Sequence, residues 1–192
     1  DAETPVFLDS PMGINATMVY MNNKGFFNDE MLAHTDIPFN FEGVEITDDY
    51  RDSRDILRRS NPKVIFAGSG MMAGGRILHH ARRYLPDPNS ILFIIGYQGK
   101  ESLGRRLLNG EKAIKLFGEE VEVKAEIRNV QSFSAHADQK QLYDFVDASR
   151  DALKKVFVVQ GDKEEAVGFA QTIKDKMGLE AEAPTLYQEF EI

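Results

Sequence analysis

The feature that most narrows the fold is a unit that recurs along the chain: a short apolar run, a glycine-bearing turn, then a segment of helical spacing. It occurs as Val64-Ile-Phe-Ala67, Gly68 to Gly75 and Arg76 to Leu85. It recurs as Ile91 to Ile95, Gly96-Tyr-Gln-Gly99 and Ser102 to Asn109, and again as Lys155 to Val159, Gln160-Gly161 and a helix to about Met177. Runs this short have strand length, and their unbroken apolar character is that of strands covered on both faces. Alternation with helices predicts an α/β fold with a Rossmann-like parallel sheet.

The remaining elements are read around this frame. Pro5-Val-Phe-Leu8 predicts a strand, Asp9-Ser-Pro-Met-Gly13 breaks it, and Ile14 to Met21 predicts a helix. Residues 22–46 read as short helical pieces and loops. Thr47 or Asp48 can cap a helix running to Arg59. Glu120 to Arg128 alternates apolar and charged residues, as one strand with a wet face does. A helix is expected at about 139–148, and a terminal strand from Pro184 onward.

No apolar run approaches the roughly 18 residues needed to span a bilayer, so no membrane partner is expected. Asp1-Ala-Glu-Thr-Pro5 has neither the basic start nor the apolar stretch of a signal peptide. The absence of cysteine excludes disulfides and thiolate chemistry, and fits a cytoplasmic protein. The formal net charge of −8 is unevenly spread. Residues 51–115 carry thirteen Lys/Arg against five Asp/Glu, between flanks with balances of −9 and −7. Such a basic middle can present a local positive surface on an acidic protein.

Ligands in such folds collect beyond the carboxyl ends of the strands, where loops present free N–H groups. The Gly68–Gly75 loop superficially resembles a dinucleotide fingerprint. Its glycine spacing is wrong for one, and the next strand ends in Gly96-Tyr97 without an acid for a ribose hydroxyl. Of the four histidines, His79 and His80 on one helix point about 100° apart, and His34 has no suitable neighbour, so no metal site is expected in this chain. His136 stands in Ser134-Ala-His-Ala-Asp138, where Asp138 is close enough in sequence to orient an imidazole; a capping aspartate beside a half-buried histidine is the structural alternative.

Ser69-Gly-Met-Met-Ala-Gly-Gly-Arg-Ile-Leu-His-His80, Gly96-Tyr-Gln98, Leu103-Gly-Arg-Arg-Leu-Leu-Asn-Gly110 and Phe133-Ser-Ala-His-Ala-Asp138 follow one another in this order. The arrangement resembles the β-CASP branch of the metallo-β-lactamase superfamily, from Pro5 to about Gly178. That branch includes RNA-processing nucleases such as the RNase J group and the cleavage subunit of the polyadenylation complex. The resemblance implies a partial β-CASP domain over residues 1–129, then a segment over 130–192 that completes the C-terminal part of a metallo-β-lactamase fold.

The resemblance also implies a zinc-dependent ribonuclease in which two zinc ions of the full-length family activate water against an RNA phosphodiester. His136 would stand beside the scissile phosphate with Asp138 behind it. Ser69, Gly70 and Ser134 would line the phosphate path, and Arg105 would contact a backbone phosphate. The family's H-x-H-x-D-H zinc motif, further ligands and first acidic β-CASP motif precede Pro5 in its order, and Gln160 stands where the family usually has histidine. This chain alone is therefore expected to hold no zinc and to be inactive. RNA is the expected partner, together with the missing metal-bearing half or a second copy. A non-catalytic RNA-binding or scaffold module is the alternative.

Overall fold

The computed structural model describes residues 4–34, 43–130, 133 and 136–191, in two compact units, Asp1–Ser134 and Ala135–Ile192. In the first unit the strand β1 (Val6–Asp9) lies between β2 (Val44–Ile46) and β3 (Val64–Ala67), parallel to both. Leu8 is level with Ile46 on one side and Phe66 on the other. Helix α1 (Pro11–Asn22) starts straight after β1, because Ser10 accepts the Gly13 N–H at 3.2 Å and Pro11 occupies a first-turn position where no amide donor is needed. Helix α2 (Asp29–His34) follows. Helix α3 (Tyr50–Asp55) has Asp49 as its side-chain cap rather than Thr47 or Asp48, because Thr47 is occupied at the end of β1.

Helix α4 (Ile77–Tyr84) follows β3, and helix α5 (Leu103–Leu108) follows β4 (Ile91–Ile94). The core here joins Met72, Ala81, Leu85, Leu107, Ile114, Leu116, Val121 and Ala125. Parallel pairing, with helices between the strands, is the α/β arrangement expected.

Four expectations change. Residues 44–46 form a strand, which a three-residue run acquires only through its pairing with β1. The span 120–128 is two strands, not one. β6 (Glu119–Glu122) closes a hairpin with β5 (Ala113–Leu116) through Phe117-Gly118, both at positive φ, as tight hairpin turns require. The Lys124 and Ala125 N–H groups then donate to the Leu85 carbonyl, redirecting the chain so that β7 (Glu126–Asn129) runs parallel to β4.

The apolar strands are also not covered on both faces. Phe66 is 48% exposed and Phe93 52%, while Phe7, on the opposite face of the sheet from Phe66, is buried. In the second unit β8 (Lys155–Phe157) pairs in parallel with β9 (Glu180–Glu182), so the last strand precedes Pro184 rather than following it. Gln188 N–H instead donates to the Thr185 carbonyl in a turn.

The second unit is organised by helices α6 (Gln139–Asp147) and α7 (Lys163–Met177). Asp138 and Gln141 cap α6 reciprocally. Ala170, Ile173 and Met177 recur at helical spacing and meet Val146 and Ala181 in the core. Ile173 has no exposed surface. Ile173→Ala is expected to lower stability by about 2–5 kcal/mol through lost burial and an unfilled cavity, read as a shift in the urea midpoint of the far-UV circular dichroism signal.

Candidate functional site

The carboxyl ends of β1, β2 and β3 converge on Asp9, whose carboxylate is wholly buried. Oδ1 accepts from Thr47 Oγ1 at 2.8 Å and Arg76 Nη1 at 2.6 Å; Oδ2 accepts from Ser53 Oγ and His80 Nε2, each at 2.6 Å. Arg76 also donates to the backbone carbonyls of Thr47 and Asp48. Burial pushes the carboxyl pKa up, but the hydrogen bonds from His80, Ser53, Thr47 and Arg76 together outweigh it and hold the group far below the usual carboxylate range. The cluster joins the ends of β1 and β2 with α3 and the start of α4.

The loop between β3 and α4 is thereby tied at its far end, since Arg76 is the residue just before α4. The loop folds back on itself: Ser69 Oγ accepts the Ala73 N–H, the Ser69 carbonyl accepts the Met72 N–H, and the Gly68 carbonyl accepts the Ile77 N–H. Gly75 sits at φ +78°, and a Cβ there would lie 2.6 Å from the Gly68 carbonyl oxygen, so no larger residue fits this return. Ser69, Gly70 and Met71 remain exposed at the tip.

A second tie comes from the loop after β4. Gln98 is 1% exposed, and its Nε2 donates to the carbonyls of Gly70 at 2.8 Å and Gly96 at 3.2 Å. Ser102 Oγ donates to its Oε1, and Arg105 donates through Nε and Nη2 to its backbone carbonyl. A Cβ on Gly104 would lie 1.9 Å from Gln98 Oε1, so glycine is what makes room for the amide.

Of the residues singled out from sequence, Ser69, Gly70 and Arg105 are thus brought into one hydrogen-bonded arrangement, with Gln98 between them. Arg105 is half-buried and commits two of its five N–H donors to that arrangement. His136 and Asp138 belong to the second unit; His136 is exposed, and the Asp138 carboxylate accepts the Gln141 N–H at 2.8 Å as the cap of α6. Ser134 lies outside the described residues. Gln160 is exposed, at φ +67° in the turn after β8.

Sequence reasoning missed Asp9, Thr47, Ser53, Arg76 and Gln98 as parts of a site. The available signal was an acid closing an apolar strand, Val6-Phe-Leu-Asp9. His79 and His80 do face different ways: His80 is buried on Asp9, whereas His79 is exposed, stacked on Phe117 at 4.7 Å and edge-on to Tyr50. Among the described residues no group of three or more His, Cys, Asp or Glu could hold a metal ion. His80 is held by Asp9, His79 by its aromatic neighbours, and Gln160 offers a neutral amide, so this donor set does not fit a catalytic zinc.

Five of the thirteen basic side chains of the middle segment are seen paired with acids. Arg59 pairs with Glu45, Arg76 with Asp9 and Arg82 with Glu119, all acids from the flanking segments. Arg58 pairs with Asp55 and Arg106 with Glu111.

Residues 1–107 match the Beta-Casp domain family, and residues 120–184 match the Zn-dependent metallo-hydrolase RNA specificity domain. The chain is 34% identical to Ribonuclease TTHA0252 of Thermus thermophilus over 88% of its own length and 39% of that protein. It is 30% identical to Transcription termination factor FttA of Methanosarcina mazei, covering 95% of this chain and 30% of the relative. FttA of Pyrococcus horikoshii is 27% identical, with 95% and 29% covered. The chain thus spans about two-fifths or less of the length of these curated relatives. No helix among the described residues is long and apolar enough to cross a membrane.

The lowered pKa of Asp9 has a pH signature. A carboxyl with a folded-state pKa below its unfolded value near 3.8 stabilises the fold fully above that value and loses this contribution as pH falls below it. Asp9→Asn, which leaves Arg76 without its buried counter-charge, is expected to cost about 3 kcal/mol at pH 7. The gap between wild type and variant narrows below about pH 4. Urea denaturation of both proteins at pH 7, 5 and 3 checks this; a gap independent of pH would refute it.

Proposed function

The chain belongs to the β-CASP branch of the metallo-β-lactamase superfamily, and from that premise we propose that it is the RNA-holding part of a zinc-dependent RNA-processing nuclease. The observation that carries the reading is the Ser69–Gly75 loop. It is tied by the buried Gln98 at Gly70 and by the buried Asp9 at its far end through Arg76, and Ser69, Gly70 and Met71 stay exposed at the carboxyl end of a parallel sheet. Such a loop offers fixed main-chain N–H groups to a phosphate without needing a large positive field.

In this reading Ser69, Gly70 and Ser134 line the phosphate path. Arg105 serves both as a brace for the Gln98 carbonyl and, through its remaining donors, as a phosphate contact. Hydrolysis forms a bond from water oxygen to phosphorus and breaks the bond to the leaving oxygen. His136 gives that leaving oxygen its proton or bonds to the charge developing on the phosphoryl group, and Asp138 orients the imidazole. The residues described here do not make a zinc site, so the metal-bearing half of the protein supplies that part of the chemistry. The division of the chain into a β-CASP portion over 1–129 and a completing segment over 130–192 belongs to the same proposal. So do the cytoplasmic setting and the absence of activity from this chain by itself.

A second reading, a non-catalytic RNA-binding or scaffold module, is favoured by Gln160 alone, since an amide there replaces the family's usual histidine. The two readings part on turnover. In the longer protein that carries the zinc motif, His136→Ala is expected to lower RNA hydrolysis by about 100-fold or more while leaving RNA affinity within about twofold. A longer protein that binds RNA and shows no turnover to lose supports the scaffold reading.

On the isolated chain, Arg105→Ala is expected to weaken single-stranded RNA binding independently of sequence. It should also lower the salt slope by about one unit or less. Fluorescence anisotropy between 50 and 200 mM salt measures both, and equal affinity with equal slope would remove Arg105 from the interface.

A further inference from the structure

The geometry points to Gln98 as a positioning residue that sets the direction of the Met71 N–H toward a phosphate of the RNA. This rests on the reading of the Ser69–Gly75 loop as part of the phosphate path, and adds to it the residue that orients the loop's donor. The Gly70–Met71 peptide is trans, so the Gly70 carbonyl and the Met71 N–H point in opposite directions across one plane. Gln98 Nε2 holds that carbonyl inward at 2.8 Å. The Met71 N–H is then turned away from Gln98, at the exposed tip of the loop.

The amide of Gln98 can act only in the observed orientation. Its Nε2 faces two backbone carbonyls, which accept and never donate, and its Oε1 faces the Ser102 hydroxyl. The Gln98 backbone is fixed in turn by the paired donors of Arg105, and its side chain fills the space left by Gly104. Every polar atom of this nearly inaccessible side chain thus has a partner, and the partner farthest along the sequence is Gly70. A residue kept only for packing would not need a donor at Nε2. Methionine has nearly the same length and no donor, and glutamate keeps the shape while reversing the interaction.

The test uses this 192-residue chain labelled with 15N and titrated with hexauridylate, a single-stranded RNA probe. In the wild type the Met71 amide signal is expected to shift on titration. In Gln98→Met that shift is lost and affinity falls about tenfold, as for one lost hydrogen bond to a charged group. Gln98→Glu is equally impaired at pH 7, where a carboxylate faces the Gly70 carbonyl. It recovers toward wild type as pH is lowered to 5, because burial against the Gly70 carbonyl raises the pKa of the new carboxyl and it gains a proton to donate, each pH being read against the wild type at that pH.

A wild type whose Met71 signal ignores the RNA overturns the phosphate-path reading and this inference with it. A responding wild type with equally responding variants overturns this inference alone. So does a Gln98→Glu protein that shows no recovery at pH 5, whether it is folded with weak binding or unfolded at both pH values, because Gln98 is then a packing residue.

Discussion

The first unit depends on one buried charge. Asp9 ends a strand that runs between two others, and its carboxylate is reached by donors from four separate places in the chain. An isolated carboxylate in this position would be strongly destabilising; with four donors, two of them on Arg76 and His80, it becomes a fixed point. Arg76 extends the effect, because its guanidinium also reaches the Thr47 and Asp48 carbonyls. The ends of β1 and β2, the entry to α3 and the exit of the Gly68–Gly75 loop are thus set by a single group.

Around that fixed point the structure relies on small residues rather than large ones. Gly75 lets the loop return within contact of Gly68, and Gly104 leaves the room that Gln98 occupies. The two loops that follow β3 and β4 are then joined through one amide. A hydrogen bond contributes only about 0.5–1.5 kcal/mol net, so the gain lies less in stability than in geometry. With the Gly70 carbonyl held on Gln98, the Met71 N–H across the same peptide plane points the other way. Main-chain donors placed in this way need no reorganisation when an anion arrives.

What was legible in the sequence follows from how local each signal is. Val64–Ala67 and the helix after it are readable because the apolar run, the glycines and the helical spacing lie within about twenty residues. The strand at Val44–Ile46 was not, because three residues become a strand only when β1 offers a partner. The 120–128 stretch misled because alternation says nothing of the Leu85 carbonyl that redirects the chain in its middle. The site divides in the same way. Ser69, Gly70 and Arg105 belong to contiguous motifs and could be named, whereas Asp9 draws its donors from positions 47, 53, 76 and 80, whose convergence only folding reveals. Gln98 could be seen in the Gly96-Tyr-Gln sequence, but not its reach to Gly70.

Charge carries the last step. The basic middle of the sequence suggested a positive face, and Arg59, Arg76 and Arg82 each meet an acid from a flanking segment, so part of the excess is taken up within the fold. A protein that is acidic overall gains little from long-range attraction to an anion. On the proposed reading, recognition of a phosphate then falls at short range to a few donors whose positions are set in advance. On the proposed reading that arrangement suits the holding of one phosphodiester in register: a diffuse field attracts every phosphate alike, while a fixed N–H rewards only the one that reaches it. The tethering of the loop through Gln98 and Arg76 is on that reading what placement contributes where net charge does not.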